Sequence, residues 1–380
     1  MSNRWAVWLA RNGPDRFQLS RKAGWDAFVH AAPREPLPML TRAELAGLPG
    51  EELDDFTEAR LVWNANLPTV KTSQLTGAFD ILDQVLASGR RDGDRLRGSV
   101  VIDAAPGLGK TTIATRYARG LHRRVLRREG PLTVEGHQRL PVVFVPLAAG
   151  VTPKGLNRRI LEFYGHPAAG RATAVDLASL AVDCAASCQT RLVVIDDLHF
   201  IDPAHRHGME VSNHLKWLAN ELPVTFIYTG VGLAEKRFFD EGLLGESAVY
   251  AQTSRRATRC PVAPFKVSTD PGARAWTELL AALEAHLHLI DARPGMLVEH
   301  AAELHRRTQG HIASLTNLLD RVCWLAIRTG LETITAELIG RATTDNAATS
   351  SATSSTGAAG GGTVPAKADT GRRKRAAGTG

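Results

Sequence analysis

The chain has 380 residues, 44% of them hydrophobic and 22% charged, which is enough to bury a normal globular core. No apolar run approaches the roughly 20 residues of a membrane helix, and the amino terminus lacks a signal-peptide pattern, so we expect a cytoplasmic protein that does not contact membranes. The formal net charge of +7 suits a nucleic-acid partner without requiring one.

The amino-terminal segment, residues 1–70, combines several tryptophans with prolines and acidic stretches. This mixture predicts an irregular arm that packs on a neighbour, and not an independent domain. From Lys71 the pattern changes, because apolar residues recur at helical spacing between Leu75 and Leu86. We therefore expect a domain boundary near residue 70.

Four short apolar runs, separated by helical patterns, follow in the chain. They occupy residues 99–104, 141–147, 191–195 and 224–229. Runs that are apolar on both faces are typical of strands in a buried parallel sheet, with crossover helices on each side. The pattern predicts an α/β core over residues 71–267.

Helical periodicity replaces the strand pattern after Phe265. It predicts helices at 276–290, 296–308 and 312–329, and a short one near 335–341. These helices would form a lid, residues 268–341, on the α/β core. Residues 342–380 are rich in Ala, Thr, Ser and Gly and end in a basic cluster, which predicts a disordered basic tail.

A glycine-rich loop joins the first predicted strand to an amphipathic helix, which is the setting of a phosphate-binding loop. Glycines let backbone N–H groups turn toward phosphates, Lys110 adds a mobile positive charge, and the Thr111 hydroxyl can ligate Mg²⁺. Ala104 replaces the usual first glycine, and its methyl group is tolerated only if the residue keeps an ordinary backbone conformation. The predicted ATP-binding residues are Pro106, Gly107, Leu108, Gly109, Lys110, Thr111 and Thr112.

The third apolar run ends in two carboxylates, Asp196 and Asp197. We expect Asp196, together with Thr111, to hold Mg²⁺ through its water shell. Asp197 would orient or deprotonate the attacking water, a position usually taken by Glu. Because Asp is one methylene shorter, we expect an ATPase that is slow or that needs DNA or a partner for stimulation.

Two further catalytic assignments depend on position alone. Thr229, at the end of the fourth run, is the candidate for contact with the γ-phosphate or its water, with Asn220 and Tyr228 as weaker choices. Arg255 and Arg256 could reach the γ-phosphate of a neighbouring subunit and stabilise charge in the transition state. Paired arginines are commonly just solvated, so that alternative stays open.

This succession of motifs resembles the transposon-encoded AAA+ regulators of the TniB/TnsC group, relatives of the phage Mu target-selection ATPase. The resemblance covers roughly residues 69–341 and implies an α/β P-loop AAA+ core with a parallel sheet and a C-terminal helical lid. Two of its motifs, at 103–112 and 195–199, are generic to P-loop ATPases. The Thr-Pro-Lys helix start after the second strand is closer to this group. The remaining motif residues are 140–146, 152–157 and 308–315.

The resemblance implies a homo-oligomer, a ring or filament, that uses ATP on duplex DNA to mark a target and recruit a DDE-type transposase or integrase. The residues permit backbone contacts with DNA, because Thr152 can cap a helix whose first two turns carry Lys154, Arg158 and Arg159. Such contacts carry little sequence preference and weaken steeply with salt. A solvated basic helix face is the open alternative. A second basic cluster comprises Arg123, Arg124, Arg127 and Arg128.

Two other functions remain open. A signalling or defence NTPase of the STAND type also carries Asp-Asp-Leu-His after the strand, although the long repeat or effector region usual in that class is not evident. A non-hydrolysing nucleotide-binding scaffold is the third possibility, if Asp197 cannot activate water. The lid also lacks the nucleotide-sensing arginine of many AAA+ lids, where His311 or a residue from outside could substitute.

Overall fold

Among the residues that the structure describes, five strands form one parallel sheet. The structure is a computed structural model and describes residues 3–90, 92, 97–202, 206–236 and 257–344. The strands lie in the order β2-β3-β4-β1-β5. Their bounds are β1 (Ser99–Asp103), β2 (Val142–Pro146), β3 (Leu192–Asp196), β4 (Thr225–Gly230) and β5 (Ala257–Arg259). This arrangement confirms the predicted α/β fold class.

Helices precede the sheet, connect its strands and follow it. In chain order they are α1 (Arg4–Asn12), α2 (Lys22–His30), α3 (Arg42–Ala46), α4 (Gly50–Ala65), α5 (Ser73–Ala87), α6 (Lys110–Glu129), α7 (Pro153–Tyr164), α8 (Ala174–Ser187), α9 (Arg206–Glu221), α10 (Asp270–Glu284), α11 (Ala301–Thr308), α12 (Ile312–Thr329) and α13 (Ala336–Arg341). The predicted C-terminal helices are present, but α10 spans 270–284 in place of 276–290, and α11 begins at 301 in place of 296. Within the described ranges, none of the helices is both long and apolar enough to cross a bilayer.

The sheet brings the ends of three strands to one edge. Every side chain of β3 and β4 is buried, as expected for runs that are apolar on both faces. Ile195 lies opposite Tyr228, and Asp103 lies opposite Gly230, so β1, β3 and β4 end side by side. Strand β5 was not predicted, because it has only three residues and is largely exposed.

The amino-terminal arm is helical, so the expectation of an irregular segment is wrong. Helix α2 packs on the α/β core through Trp25 and Phe28. Helices α1 and α4 form a small cluster of their own, in which the rings of Trp5 and Phe56 lie 4.5 Å apart. Leu61, also on α4, packs against the apolar cluster of the C-terminal helices. The arm therefore contacts both the core and the lid of its own chain.

A buried ion pair fixes the arm to the lid. Arg60 on α4 donates from Nη1 to both carboxylate oxygens of Glu332 at 2.9 and 2.8 Å, and each side chain is only 2% exposed. Glu332 also accepts a hydrogen bond from the Ile290 N–H at 3.1 Å. Loss of one partner from a buried pair leaves an uncompensated charge, so both residues are needed together.

A buried histidine joins α2 to α6 and gives folding a specific pH dependence. Trp25 Nε1 donates to His122 Nδ1 at 3.0 Å, and burial lowers the pKa of His122 to about 4, from 6.5 when exposed. Below pH 6.5, His122 binds a proton in the unfolded chain, whereas in the folded chain it stays neutral until the pH approaches 4. We expect this residue alone to remove up to about 3 kcal/mol of stability between pH 6.5 and 4.

Denaturant unfolding of wild type and His122→Gln across this pH range measures the effect. Glutamine does not titrate, and its amide oxygen can accept the Trp25 hydrogen bond. The acid-side loss of stability should therefore be smaller in the variant. Equal losses in the two proteins would contradict the assignment.

Candidate functional site

The loop between β1 and α6 has the backbone that a phosphate-binding loop needs. Gly107 and Gly109 have φ angles of 77° and 84°, which glycine adopts without steric cost. Ala104 is not in this left-handed region, so its methyl group is tolerated. Its N–H donates to the Gly230 carbonyl at 3.3 Å, which ties the loop to the end of β4. The loop leads directly into the unpaired amides at the start of α6, groups that bind anions.

Lys110, the first residue of α6, directs its ammonium group back to the loop. Nζ donates to the carbonyl oxygens of Ala104 and Ala105 at 2.8 and 2.9 Å. Burial lowers the pKa of Lys110, and nearby carboxylates, with Asp197 first, oppose this shift. A partly desolvated cation at this position interacts more strongly with a phosphate than a cation in water does.

Thr111 and Asp196, the two predicted metal ligands, lie in direct contact. The Thr111 hydroxyl donates to the Asp196 carboxylate at 3.0–3.1 Å, and the Thr229 hydroxyl donates to the same carboxylate from β4. Burial is the main cause of the raised pKa of Asp196, and the hydrogen bond from Thr229 opposes it. A hydroxyl and a carboxylate are hard oxygen donors, which suit Mg²⁺ when water and phosphate supply the remaining ligands.

No cluster of three or more His, Cys, Asp or Glu side chains in the described part of the chain could hold a metal by itself. Thr111 and Asp196 alone would not complete the coordination of Mg²⁺, so water and phosphate would have to supply the other ligands.

Asp197 differs from Asp196 in both backbone and exposure. Its φ and ψ angles are 61° and 38°, a left-handed conformation that is uncommon outside glycine but tolerated by Asp and Asn. Its side chain is 43% exposed, whereas Asp196 as a whole is 4% exposed. Asp197 Oδ1 lies 3.9 Å from His199 Nδ1. The Asp197 carboxylate is thus open to solvent, and it is close enough to Lys110 to raise the pKa of that ammonium group.

Thr229 holds Asp196, a contact that the sequence did not predict. Besides donating to that carboxylate, the Thr229 hydroxyl accepts a hydrogen bond from the Asp197 N–H at 3.4 Å. The two weaker candidates for contact with the γ-phosphate do not share this position. Tyr228 is buried in the sheet and stacked on Phe226. Asn220 precedes β4 and lies toward the opposite edge of the sheet.

The first turn of α12 packs on the phosphate loop. The Ala313 N–H donates to the Gly107 carbonyl at 3.0 Å. A side chain at Gly109 would meet the Ile312 methyl group at 3.6 Å, and one at Gly107 would lie 3.9 Å from His311. The lid therefore contacts the loop through the backbone of its first turn, and His311 occupies the N-cap position of α12 without a side-chain cap hydrogen bond.

A cavity of about 350 Å³, which we call the lid cavity, adjoins the phosphate loop. Its walls come from the segment before α5, the start of α6, the loop after β5 and the start of α12. The main apolar lining residues are Leu67, Val70, Leu75, Ile113, Val262 and Ile312. A mostly apolar cavity of this size could hold a purine base. Its lining residues are scattered along the chain, so no local sequence pattern indicates the cavity.

The predicted DNA-binding residues lie at the start of α7. The Thr152 side chain accepts a hydrogen bond from the Gly155 N–H at 3.1 Å, which confirms the cap. Arg158 is exposed but pairs with Glu162 at 3.0 Å, and Arg159 donates to the Pro146 carbonyl at 3.4 Å. Lys154 is exposed. Of these cations, Lys154 alone has no partner among the described residues.

Two of the predictions fall on residues that the structure does not describe. Arg255 and Arg256 lie in the range 237–256, and the predicted basic tail lies mostly in 345–380, both outside the described residues. The intersubunit role of the arginines therefore stays a prediction.

Comparison with protein families places an AAA-type P-loop domain in this chain. The family model described as AAA domain matches residues 93–238, a range that runs from β1 through β4. The match includes the phosphate loop, Asp196 and Asp197. No curated protein matches the sequence.

Several solved structures share the fold. The Orc1 protein of Aeropyrum pernix, solved in complex with DNA, has a TM-score of 0.54 and 17% identity, and the match covers 76% of this chain and 68% of that one. The Orc2 protein of the same organism, solved as ADPNP–ADP complexes, has a TM-score of 0.52 and 15% identity over 72% and 68%. Cdc6p of Pyrobaculum aerophilum has a TM-score of 0.52 and 13% identity over 72% and 67%. At these identities the likeness shows the fold alone.

Proposed function

We propose that this chain, which carries an AAA-type P-loop domain in residues 93–238, is an ATP-dependent DNA-binding ATPase that regulates transposition. It oligomerises on duplex DNA, selects the target and recruits a transposase. One observation carries the ATPase part: Lys110, the Thr111–Asp196–Thr229 network and the exposed Asp197 converge at one edge of the sheet. The resemblance to the TniB/TnsC group supports the transposition part.

In this proposal the loop amides, Lys110 and Thr112 bind the phosphates of ATP, and Thr111 and Asp196 hold Mg²⁺. When bound, Mg²⁺ supplies positive charge that offsets the charge developing on the phosphates. The base lies in the lid cavity, between the segment that precedes α5 and the start of α12. Because α12 contacts both the cavity and the loop, the lid responds to the nucleotide through its first turn.

Hydrolysis uses Asp197 as the proton acceptor. Its exposed carboxylate takes a proton from the attacking water, while Lys110 stabilises negative charge on the phosphates. Thr229 positions Asp196 and the backbone of Asp197. Arg255 or Arg256 of an adjacent subunit supplies further positive charge, which would make turnover depend on assembly.

DNA binding uses the start of α7. Lys154 is exposed at the amino end of a capped helix, where cations and free amides suit a phosphate backbone. Arg158 and Arg159 lie one turn further and add positive charge. The structurally similar Orc1 protein of Aeropyrum pernix was solved in complex with DNA, which supports DNA binding by this fold but not the choice of α7.

Substitution of Lys154 by Gln tests the DNA contact. We expect weaker binding to every duplex sequence, and a plot of log affinity against log salt whose slope falls by about 1. Arg274→Gln, an exposed substitution on lid helix α10, is the matched control and should change neither quantity. Fluorescence anisotropy over a salt series provides the measurement. An unchanged slope in Lys154→Gln would show that this part of α7 does not contact the DNA backbone.

Recruitment of a transposase is tested with DNA-coated beads and a DDE-type transposase, taken from the neighbouring gene if that gene encodes one. We expect the beads to retain the transposase when the protein and an ATP analogue are present, and to lose it with ADP. Nucleotide-dependent DNA binding without retention of the transposase would support the ATPase part of the proposal and contradict the transposition part. An effector or toxin gene in that position would instead favour the STAND-type switch.

A further inference from the structure

A second cavity, of about 650 Å³, lies between the arm and α6, and we call it the arm cleft. Trp63 of the arm and His286 of the lid line its other side. Its volume is within the range of sites for small molecules. Its charged lining comprises four arginines and one carboxylate, namely Arg34, Arg116, Arg119, Arg123 and Asp15.

Three of these arginines lie on one face of α6. Arg116, Arg119 and Arg123 follow one another at helical spacing, where like charges repel. Burial lowers the pKa of Arg119, and the positive charges of Arg123 and Arg116 lower it further. Burial also lowers the pKa of Arg116. The one carboxylate of the lining, Asp15, lies 3.9 Å from Arg34 and opposes the pKa shift of Arg119, so four arginines face a single carboxylate.

Attachment of the arm accounts for only part of this cluster. Arg119 donates to the Ala31 carbonyl at 2.6 Å, and Arg123 donates to the Val29 carbonyl at 2.5 Å. Each guanidinium has five N–H groups, so donors remain on both. Arg116 contacts the arm through the Phe28 ring, 5.6 Å away, and has no hydrogen-bond acceptor among the described residues. Its charge therefore has no role in holding the arm by hydrogen bonds.

We propose that the arm cleft binds a small anion with several phosphate groups, an inorganic polyphosphate or a nucleotide, at a site separate from the phosphate loop. Planar guanidinium groups bind phosphate oxygens through paired hydrogen bonds, and several converge here from the arm and from α6. Arg116 lies about 9 Å along the helix axis from Lys110, so the two sites use different cations. This proposal does not depend on the proposed function.

The arm cleft and the lid cavity share a wall. Arg116 and residues 67–69 line both. An anion that binds Arg116 in the cleft therefore acts on a residue that also lines the lid cavity. The bound anion would also connect the arm to α6.

The test uses the full-length chain with Lys110→Ala, which removes the main cation of the phosphate loop, and tripolyphosphate as the probe. Calorimetry should show that Lys110→Ala still binds tripolyphosphate at one site. Adding Arg116→Gln should weaken this binding by about tenfold or more, as expected for loss of a charge-assisted contact. Arg127→Gln, an exposed substitution on α6 away from the cleft, is the matched control and should have no effect.

Arg116 is chosen because its loss breaks no hydrogen bond to the arm, and matching thermal unfolding curves would show that the fold is kept. Arg116→Lys keeps the charge but loses the planar pair of donors, so its affinity should lie between those of arginine and glutamine. Tighter binding of ATP than of tripolyphosphate to Lys110→Ala would identify a nucleotide, and equal affinities a phosphate-only ligand. The proposal is overturned if Lys110→Ala abolishes binding, if Arg116→Gln leaves it unchanged, or if Arg116→Gln weakens only duplex DNA binding.

Discussion

Substitution of Lys110 by Ala is expected to weaken ATP binding by about 100-fold or more and to remove ATP hydrolysis. The ammonium group is partly desolvated and bonded to the loop carbonyls of Ala104 and Ala105. It would make charge-assisted hydrogen bonds to phosphate, each worth about 1.5–3 kcal/mol, and every 1.4 kcal/mol corresponds to about tenfold in affinity. No other described lysine or arginine lies against the loop in this way.

Calorimetric titration with a non-hydrolysable ATP analogue measures the effect. Lys266→Ala, which removes an exposed lysine outside the lid cavity, is the control and should bind as wild type does. Thermal unfolding of both variants without nucleotide separates lost binding from lost folding. Wild-type affinity in Lys110→Ala would mean that the loop does not bind the phosphates.

Substitution of Asp197 by Asn should lower turnover by about 100-fold or more while ATP binding stays unchanged. Asparagine cannot accept the proton of the attacking water, and general base catalysis contributes about 10²–10⁴ in rate. Asparagine also tolerates the left-handed backbone that Asp197 adopts, so the loop after β3 should keep its shape. Alanine at this position would mix the loss of the carboxylate with backbone strain.

Steady-state phosphate release and equilibrium binding of the ATP analogue, measured on the same preparation, distinguish the two roles. A lower turnover with unchanged affinity is the signature of an interaction made in the transition state. Unchanged turnover would show that another group accepts the proton. Loss of binding as well would move Asp197 from catalysis to nucleotide binding.

The parts of the fold that the sequence predicted are those with a strong local pattern. The runs that became β1 to β4 are continuous, apolar and bounded by helices, so their strand character and parallel pairing followed from burial on both faces. The phosphate loop was recognisable because Gly107, Gly109 and Lys110 occur between a strand and a helix. Helix α12 spans the predicted range 312–329, since a long amphipathic pattern is hard to mistake.

Other features depend on contacts between distant segments. The lid cavity combines Leu67, Ile113 and Ile312, which are far apart in sequence, so local patterns could not reveal it. Thr229 was expected to face the γ-phosphate, but its role as a partner of Asp196 arises only from the register of β3 with β4. The contact of α12 with the phosphate loop is a backbone hydrogen bond, so the pattern of side chains in the sequence does not indicate it.

The arm was misjudged for a different reason. Helices α1 and α2 have nine residues each, which is too short for a clear helical period, and prolines lie between them and α4. Their stability comes from tertiary contacts, such as that of Trp5 on α1 with Phe56 and that of Trp25 on α2 with His122. The α10 helix shows the same effect on a smaller scale, because it begins at Asp270, after the Thr269 cap, and not at 276.

The most direct test of the central claim is the affinity for duplex DNA measured with a non-hydrolysable ATP analogue, with ADP and without nucleotide, on wild type and Lys110→Ala. We predict tight, salt-sensitive binding of the wild type with the analogue, weaker binding in the other two states, and no response to nucleotide in Lys110→Ala. Equal DNA affinity in all three nucleotide states of the wild type would contradict the claim that the phosphate-loop site controls DNA binding.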